Sequence, residues 1–474
     1  MYQEKKAELL KLLEGSVTLE NDQIVIIDEG KLQLKIENLV KAAVLGEDEL
    51  KRYLARYLVR VVAAAAGVYP SSIHDLYLAC GRGEVSNNFT VPAINLRSLT
   101  FYAARIIFQI AGEVNAGAFI LELARSETGY TDQRPSEYAA NILGGAVAAG
   151  YKGPVFIQGD HYQISASRYH DNQDPEIQAL KDLTREALEA GFFNIDIDAS
   201  TLVDLSKDSV VEQQVLNSEW TAFFTKYIRD LEPEGITVSI GGEIGEVGEE
   251  NSTVEELRAY MDNYQVDLEK TAPGVIGLSK ISVLTGTSHG GLVLPDGSIK
   301  EVAVDFELLK NLGKISRESY GLGGAVQHGA STLPETAFSK FPEYETLEVH
   351  LATNFQNIMY NELPDDLKNE IYSYLDQNHA HERKEGQTDE QFYYKTRKRA
   401  LGEFKDKIWG ITSEQLACIT IAWDQQFRDL FDRLGIADTR PYVDKFISPV
   451  LVDPILDNYL LGDVQAEDTS DLAD

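Results

Sequence analysis

The chain has 474 residues, a formal net charge of −33 and a pI near 4.6. Its 43% hydrophobic and 25% charged residues are typical of a globular protein with a sizeable core, which excludes general disorder. The acidic balance, with no dense basic run, argues against nucleic-acid binding and against an anionic membrane surface. Because the net charge repels anions, an anionic substrate would need a locally positive binding site. Two distant cysteines, Cys80 and Cys418, exclude a disulfide framework and argue against a cysteine-based zinc site.

The N-terminal residues contain no apolar segment of signal-peptide length, and no run approaches the length of a membrane span. We therefore expect no membrane association and a cytoplasmic location.

Residues 1–88 form a separate N-terminal extension in this interpretation. A short helix is predicted over residues 5–13, and the alternating segments QIVIID (23–28) and KLQLKI (31–36) predict a hairpin. Apolar residues at helical spacing predict an amphipathic helix over residues 49–67. No chemical motif lies in this part, so we expect a cap or an oligomer contact.

Residues 89–361 alternate short apolar runs with helical patterns, which is typical of βαβ units and a parallel sheet. Eight such units close most simply as a (β/α)₈ TIM barrel, expected here to be the catalytic domain. Residues 362–474 are predicted to be helical, with an acidic tail. The eight predicted strands are TVPAINL, GAFILELA, PVFIQGDH, FNIDIDAS, ITVSIGGEIG, ISVLTGTSHG, GGAVQHGAS and LEVHLAT.

Barrel enzymes carry their catalytic groups at the C-terminal ends of the strands. Four of the chain's eight histidines fall at such ends: His161, His289, His328 and His350. The other candidates there are Asp160, Asp198 and Glu243. Three histidines converging on one barrel mouth suit a catalytic zinc with an open coordination position, acting as a Lewis acid on a carbonyl oxygen.

Glycines flank these positions, and the segment GGAVQHGAST offers backbone amides and Ser331 immediately after a strand. Such a turn can bind a phosphate group. This turn would provide the local anion-binding site that an anionic substrate needs in a chain of strongly negative net charge.

The ordered motifs resemble those of the zinc-dependent class II ketose-bisphosphate aldolases, the fructose- and tagatose-bisphosphate aldolase family. The resemblance runs from about residue 91 to residue 399. The segments that carry it are TVPAINLRSL, QGDHY, ALEAGFFNIDIDAS, IGGEIGEVGEENS, GTSHGG, QHGAST, EVHLATNFQN and YYKTRK.

The resemblance implies a catalytic Zn²⁺, or another divalent ion, on His161, His289 and His328. Glu243 and Asp198 match positions that hold a second metal or give the zinc an alternative site. The resemblance also implies two catalytic carboxylates, the second of which has two candidates. They are Asp160, the acid–base group at the C4 hydroxyl, and Glu250 or its neighbour Glu249, which moves the ketone's α-proton from a mobile loop.

The resemblance further implies a substrate- and phosphate-binding set, a monovalent cation (Na⁺ or K⁺) beside the phosphate, and a homodimer or homotetramer. Arg397 matches an arginine for the distal phosphate, often across a subunit contact. The full set is Gly290, Gly329, Ser331, His350, Thr353, Asn354 and Arg397.

Three positions depart from the family pattern. His350 stands where an asparagine is usual, Gly241 replaces the first glutamate of the strand-5 motif, and Ala124 replaces a phosphate-binding serine. His350 is interpreted as a fourth metal ligand, a phosphate contact or a new acid–base group, with core packing as the alternative.

The predicted function is reversible cleavage of a ketose bisphosphate, of the fructose 1,6- or tagatose 1,6-bisphosphate type. The products are dihydroxyacetone phosphate and an aldehyde, formed through a metal-stabilised enediolate, a reaction of glycolysis and carbohydrate metabolism. Two alternatives stay open: a metal-dependent sugar-phosphate epimerase or isomerase, and a non-catalytic sugar-phosphate-binding barrel subunit.

Overall fold

The computed structural model describes residues 2–21, 23–244, 250–286, 303–330, 333–460 and 472. A closed barrel of eight parallel strands, each hydrogen-bonded to the next along the chain, forms its centre. The last strand pairs with the first, which closes the ring and confirms the predicted (β/α)₈ barrel. These strands are β4 (Val91–Asn95), β5 (Ile120–Ala124), β6 (Gly153–Gln163), β7 (Asn194–Asp198), β8 (Ser239–Glu243), β9 (Lys280–Val283), β10 (Ala325–Gln327) and β11 (Glu348–Leu351).

Helices cover the outside of the barrel and build both chain ends. The barrel strands are buried along nearly their whole length, because a parallel sheet inside a helical shell meets water on neither face. The helices are α1 (Tyr2–Lys11), α2 (Glu29–Leu45), α3 (Glu49–Ala65), α4 (His74–Gly81), α5 (Thr100–Glu113), α6 (Arg125–Tyr130), α7 (Pro135–Ala148), α8 (Ala166–Asp171), α9 (Gln173–Ala190), α10 (Val210–Gln213), α11 (Val215–Leu231), α12 (Val254–Thr271), α13 (Phe306–Tyr320), α14 (Glu335–Phe338), α15 (Lys340–Glu343), α16 (Thr353–Glu362), α17 (Asp365–Asn378), α18 (Asp389–Thr396), α19 (Lys405–Trp409), α20 (Ser413–Arg433), α21 (Arg440–Phe446) and α22 (Leu456–Leu460).

The N-terminal hairpin differs from the predicted one. Strands β1 (Val17–Glu20) and β2 (Gln23–Ile26) pair with each other in antiparallel register. The segment KLQLKI was predicted as a strand, and that prediction was wrong: it lies in helix α2. Asp28 caps this helix by accepting a hydrogen bond from the Lys31 amide. The buried positions of α2 recur at helical spacing, so its local alternation is part of a longer 3.6-residue period: Leu32, Ile36, Leu39, Val40 and Ala43.

The N-terminal extension packs against the barrel. Strand β3 (Val68–Ser71) adds to the sheet beside the first half of β6, in parallel register. Arg56 of α3 forms a buried 2.8 Å ion pair with Glu137 of α7, and Lys405 of α19 lies 2.9 Å from the same carboxylate. The N-terminal extension and the C-terminal region therefore both contact the same barrel helix, α7. The domain boundaries after residues 88 and 361, and a role of the extension in oligomerisation, stay predictions.

Strand β6 contains a bulge that shapes the site. Its register against β7 shifts between Gly159 and Tyr162. His161, inside this shift, has a φ of +39°, an uncommon backbone conformation for a residue with a side chain. A Cβ atom at Gly159 would lie 2.5 Å from the Tyr162 ring, so only glycine fits there. The bulge places Asp160 and His161 at the barrel mouth.

In the part of the chain that the structure describes, none of the helices is long and apolar enough to cross a membrane.

Candidate active site

Two histidines and an aspartate meet at the C-terminal end of the barrel. Asp160 and His161 lie on β6, and His328 follows β10. The ring centroids of His161 and His328 are 4.2 Å apart, and one ligand atom from each of the three residues lies within 4.8 Å of the others. All three side chains are buried. The structure therefore brings together two of the three predicted zinc histidines.

Two further predicted residues complete this group, which we call the outer layer. Asp198, the last residue of β7, places Oδ2 3.3 Å from His161 Nδ1. Glu243, the last residue of β8, places Oε2 3.4 Å from His328 Nε2. Imidazole nitrogens and carboxylate oxygens together are a donor set that fits Zn²⁺ and other divalent ions. The third predicted histidine, His289, lies outside the described residues.

The protonation equilibria of the outer layer indicate an excess of negative charge. Burial, together with the nearby Asp198, raises the pKa of Glu243 to about 8. Burial disfavours the charged form of His161, but Asp160 and Asp198 outweigh it and raise its pKa to about 10. Burial also disfavours ionised Asp160, yet His161 and His350 hold its pKa well below the usual range. Such a buried, carboxylate-rich group favours a bound cation.

A second group of charges lies next to this one, and we call it the inner layer. His350 of β11 places Nδ1 3.0 Å from Asp160 Oδ1 and 3.1 Å from Glu122 Oε1, while its Nε2 lies 2.6 Å from Glu348 Oε1. Its ring centroid is 4.0 Å from that of His328. Burial opposes protonation of His350, but Glu122 and Asp160 outweigh it, so its pKa is raised well above the usual value. A doubly protonated ring donates from both nitrogens.

Lys280 is the second cation of the inner layer. Its Nζ lies 2.9 Å from Asp196 Oδ2, 2.8 Å from Gln158 Oε1 and 2.5 Å from Glu348 Oε1, and its side chain is fully buried. A Cβ atom at Gly241 would lie 2.2 Å from Asp196 Oδ1 and 2.9 Å from Lys280 Cε. The Lys280–Asp196 pair thus fills the space that a side chain at position 241 would need.

Sequence reasoning missed four residues of the inner layer. Each is a charged side chain at a buried position of a barrel strand, and this was the available signal, because an unpaired charge is rarely buried. They are Glu122 in β5, Asp196 in β7, Lys280 in β9 and Glu348 in β11.

The other predicted site residues are spread around the mouth. Gly329, directly after His328, has a φ of +69°, which favours glycine. Thr353 is buried and begins helix α16, with the half-buried Asn354 next to it. Glu250 is exposed. The predicted residues that lie outside the described ones are Glu249, His289, Gly290 and Ser331.

Arg397 occupies a different place from the two layers. Its guanidinium lies 4.8 Å from the ring centroids of both Tyr360 and Tyr394, and it donates a hydrogen bond to Asn357. Arg397, Tyr394 and Asn357 border a cavity of about 600 Å³ between α16, α17 and α18. Its predicted role at a distal phosphate stays a prediction.

Comparisons with known proteins agree with this architecture. The family model described as fructose-bisphosphate aldolase class-II matches residues 84–412. No curated protein gives a significant match.

Two solved structures share the fold at low sequence identity. One is a glycerol complex of the fructuronate-tagaturonate epimerase UxaE from Cohnella laeviribosi, with 13% identity and a TM-score of 0.56 over 89% of this chain and 90% of that chain. The other is a probable tagatose 6 phosphate kinase from Sinorhizobium meliloti 1021. It has 15% identity and a TM-score of 0.52 over 73% of this chain and 100% of that chain.

Proposed function

Because the chain belongs to the class-II fructose-bisphosphate aldolase family, we propose that it cleaves and forms a carbon–carbon bond of a phosphorylated ketose. The substrate would be of the fructose 1,6- or tagatose 1,6-bisphosphate type, and the products dihydroxyacetone phosphate and an aldehyde. The observation that carries the proposal is the outer layer, in which His161, His328 and Asp160 converge at the mouth of the barrel.

The outer layer would hold a divalent cation, with Zn²⁺ as our first choice. His161 and His328 would be ligands, His289 is the predicted third, and Asp198 and Glu243 are close enough to contribute. When bound, the cation would act as a Lewis acid towards the carbonyl oxygen of the ketose.

Asp160 would take the proton from the C4 hydroxyl during cleavage and return it during synthesis. Asn95 Nδ2 donates to its Oδ2 at 3.2 Å, and His350 contacts its Oδ1. These contacts favour the ionised carboxylate and fix its direction, as a general base requires. Glu250, or Glu249, would carry the proton to and from the carbon of the enediolate.

The inner layer would position Asp160. A continuous chain of buried contacts runs from Lys280 through Glu348 and His350 to Asp160, over distances of 2.5, 2.6 and 3.0 Å. Of the roles considered for His350, we favour an acid–base group, because its ring nitrogens lie 3.0 Å from Asp160 Oδ1 and 2.6 Å from Glu348 Oε1.

A phosphate group would bind beside the outer layer, at the turn that contains Gly329 and at the start of helix α16. Thr353 and Asn354 lie in the first turn of α16, whose amide groups and dipole favour an anion. Ser331 and Gly290 are the predicted neighbours, together with a monovalent cation.

A second candidate is a metal-dependent epimerase that opens and recloses the same bond with inverted configuration. The shared architecture with UxaE, which extends over about nine-tenths of both chains and includes regions outside the family match, supports this reading. The departures at His350 and Gly241 are also compatible with a changed substrate.

Proton exchange from dihydroxyacetone phosphate in D₂O, followed by NMR, tests the aldolase proposal. We expect one C3 proton to exchange stereospecifically, and a chelator to stop the exchange. Absence of exchange in metal-loaded protein would contradict the proposal. Product analysis separates the two candidates, because an aldolase halves the carbon chain and an epimerase conserves it.

A further inference from the structure

The Asp198 carboxylate of the outer layer is fully engaged by hydrogen-bond donors of the chain. Its Oδ1 accepts from the Ser200 amide at 3.0 Å and from the Ser200 hydroxyl at 2.6 Å. Its Oδ2 accepts from Gln163 Nε2 at 2.7 Å and lies 3.3 Å from His161 Nδ1. A carboxylate offers about four lone-pair sites, and these contacts occupy all of them. Asp198 is therefore poorly suited to be a metal ligand, although the family resemblance assigns it to a metal position.

The bulge in β6 makes this arrangement possible. Before the bulge Gly159 pairs with Ile195, and after it Gln163 pairs with Asp198, so β6 has one extra residue between the two pairs. Without the extra residue, Tyr162 would pair with Asp198, and a phenol would take the place of the amide. Paired residues of neighbouring strands point their side chains to the same face of the sheet. The bulge thus brings the Gln163 amide to the carboxylate.

Gln163 is itself held in place from the neighbouring strand. Its carbonyl oxygen accepts from Arg125 Nη1 at 2.6 Å, and the same nitrogen donates to Glu176 Oε1 at 2.6 Å. Arg125 directly follows β5, and all three side chains are buried. Water has little access to this group, so the protein itself sets the direction of the Gln163 amide.

The engaged carboxylate determines which nitrogen of His161 faces the site. Asp198 Oδ2 accepts at Nδ1, so in the neutral ring Nδ1 carries the proton and Nε2 carries the lone pair. Nε2 lies 3.8 Å from Asp160 Oδ1, on the side of the proposed cation. A histidine that binds a metal through one nitrogen almost always donates from the other to an acceptor that fixes its ring. Asp198 is in the position of that acceptor.

We propose that Asp198 orients His161 and is not itself a metal ligand. Gln163 and Ser200 are then positioning residues that hold Asp198. This inference rests on the proposed cation site of the outer layer and narrows its set of ligands. His161 would bind through Nε2, and Glu243 would be the carboxylate that contributes to the site.

The Zn²⁺ affinity of the full chain, measured by competition with a chromogenic chelator, tests the proposal. Gln163→Leu removes the amide donor and Asp198→Asn removes the negative charge, so each should weaken Zn²⁺ binding by about 10- to 100-fold. Both variants should keep the metal stoichiometry of the parent protein. Gln178→Leu, at an exposed position of α9, is the matched control and should bind like the parent. Parental affinity in both Gln163→Leu and Asp198→Asn would overturn the proposal.

Two substitutions of Ser200 separate positioning from a general loss of structure. Ser200→Ala loses the hydroxyl donor and keeps the amide, so Zn²⁺ binding should weaken by about threefold to tenfold. Ser200→Thr keeps the hydroxyl and should restore the parental affinity. Equal affinities of the two variants would contradict a role of the hydroxyl in holding Asp198.

The visible spectrum of the Co²⁺-substituted protein distinguishes an orienting residue from a ligand. Loss of a ligand changes the donor atoms or the geometry around the ion, and the absorption bands shift. Loss of an orienting residue leaves the donor atoms the same. We expect Asp198→Asn to keep the band positions of the parent protein and Glu243→Gln to shift them. Shifted bands in Asp198→Asn would make Asp198 a ligand and overturn the proposal.

Proton exchange from dihydroxyacetone phosphate separates this result from the proposed function. Exchange in the parent protein, together with parental metal affinity in the variants, would reject the orienting role and keep the aldolase. Weakened metal binding in the variants, without exchange in the metal-loaded parent, would keep the orienting role and reject the aldolase.

Discussion

The outer and inner layers contain the same kinds of side chain but balance their charges differently. In the inner layer, Lys280 and His350 stand among Glu122, Asp196 and Glu348, at distances of 2.5–3.6 Å. Lys280 is a cation that the chain itself supplies to this layer. In the outer layer, the two imidazoles of His161 and His328 face the three carboxylates of Asp160, Asp198 and Glu243.

The difference indicates which layer is structural and which is reactive. A buried layer that supplies its own counter-ions is fixed by folding, and its charges are closed to exchange. A layer rich in carboxylates and imidazoles can bind a metal cation from solution. The two layers meet at Asp160, which contacts His350 on one side and lies near His161 on the other.

The largest expected effect is a loss of activity on substitution of a histidine in the outer layer. His328→Ala removes a proposed metal ligand, so exchange from dihydroxyacetone phosphate should fall by about 10³-fold or more, roughly 4 kcal/mol of transition-state stabilisation. Elemental analysis should show reduced metal content. His170→Ala, at an exposed histidine, is the control. Parental activity and metal content in His328→Ala would show that this histidine is not a metal ligand.

A substitution in the inner layer should lower the stability of the protein. Lys280→Met leaves Asp196 and Glu348 buried without their cation, which should lower the free energy of unfolding by about 3–5 kcal/mol in urea. Lys314→Met, on an exposed side chain, should change it by less than about 0.5 kcal/mol. Adding Glu348→Gln to Lys280→Met should restore part of the loss. If Lys280→Met had the same free energy of unfolding as the parent protein, the distinction between the two layers would be wrong.

A buried histidine outside both layers sharpens the comparison. His74 has no hydrogen-bond partner on Nδ1, and burial, assisted by Arg229, lowers its pKa to about 4. In His161, by contrast, the neighbouring carboxylates outweigh burial and raise the pKa to about 10. Because unfolded His74 binds a proton below about pH 6.5, its contribution to stability should be lost as pH falls from 6.5 to 4, by about 3 kcal/mol.

Urea unfolding across this pH range measures the effect. His74→Gln should flatten the pH dependence relative to the parent protein by the stated amount. Identical pH profiles for the two proteins would show that His74 does not titrate differently on folding.

The smallest expected effect is the stabilisation by added metal. Zn²⁺ at a free concentration of 100 times its Kd should raise the free energy of unfolding by about 2.7 kcal/mol. His328→Ala should abolish this gain, whereas Lys280→Met should keep it if it folds. Equal stabilisation of both variants would mean that the cation does not bind in the outer layer.

The sequence by itself determined the barrel and most of the outer layer. Alternating apolar runs and helical patterns predicted the eight strands, because burial on both faces makes a parallel strand apolar along its length. Asp160, His161, Asp198 and Glu243 were predicted from their positions at strand ends, where a closed barrel gathers side chains from distant segments.

Tertiary structure decided the rest. The segment KLQLKI alternates like a strand over six residues, but the Asp28 cap and the longer apolar period of α2 favour a helix, whose apolar face packs beside α3 and α7. His350 meets Asp160 across 190 residues because β11 closes onto β4 and β6 bulges at His161. Local periodicity encodes which face of an element is buried. The partner of a buried charge depends on how the whole ring closes, and no short window of sequence contains that information.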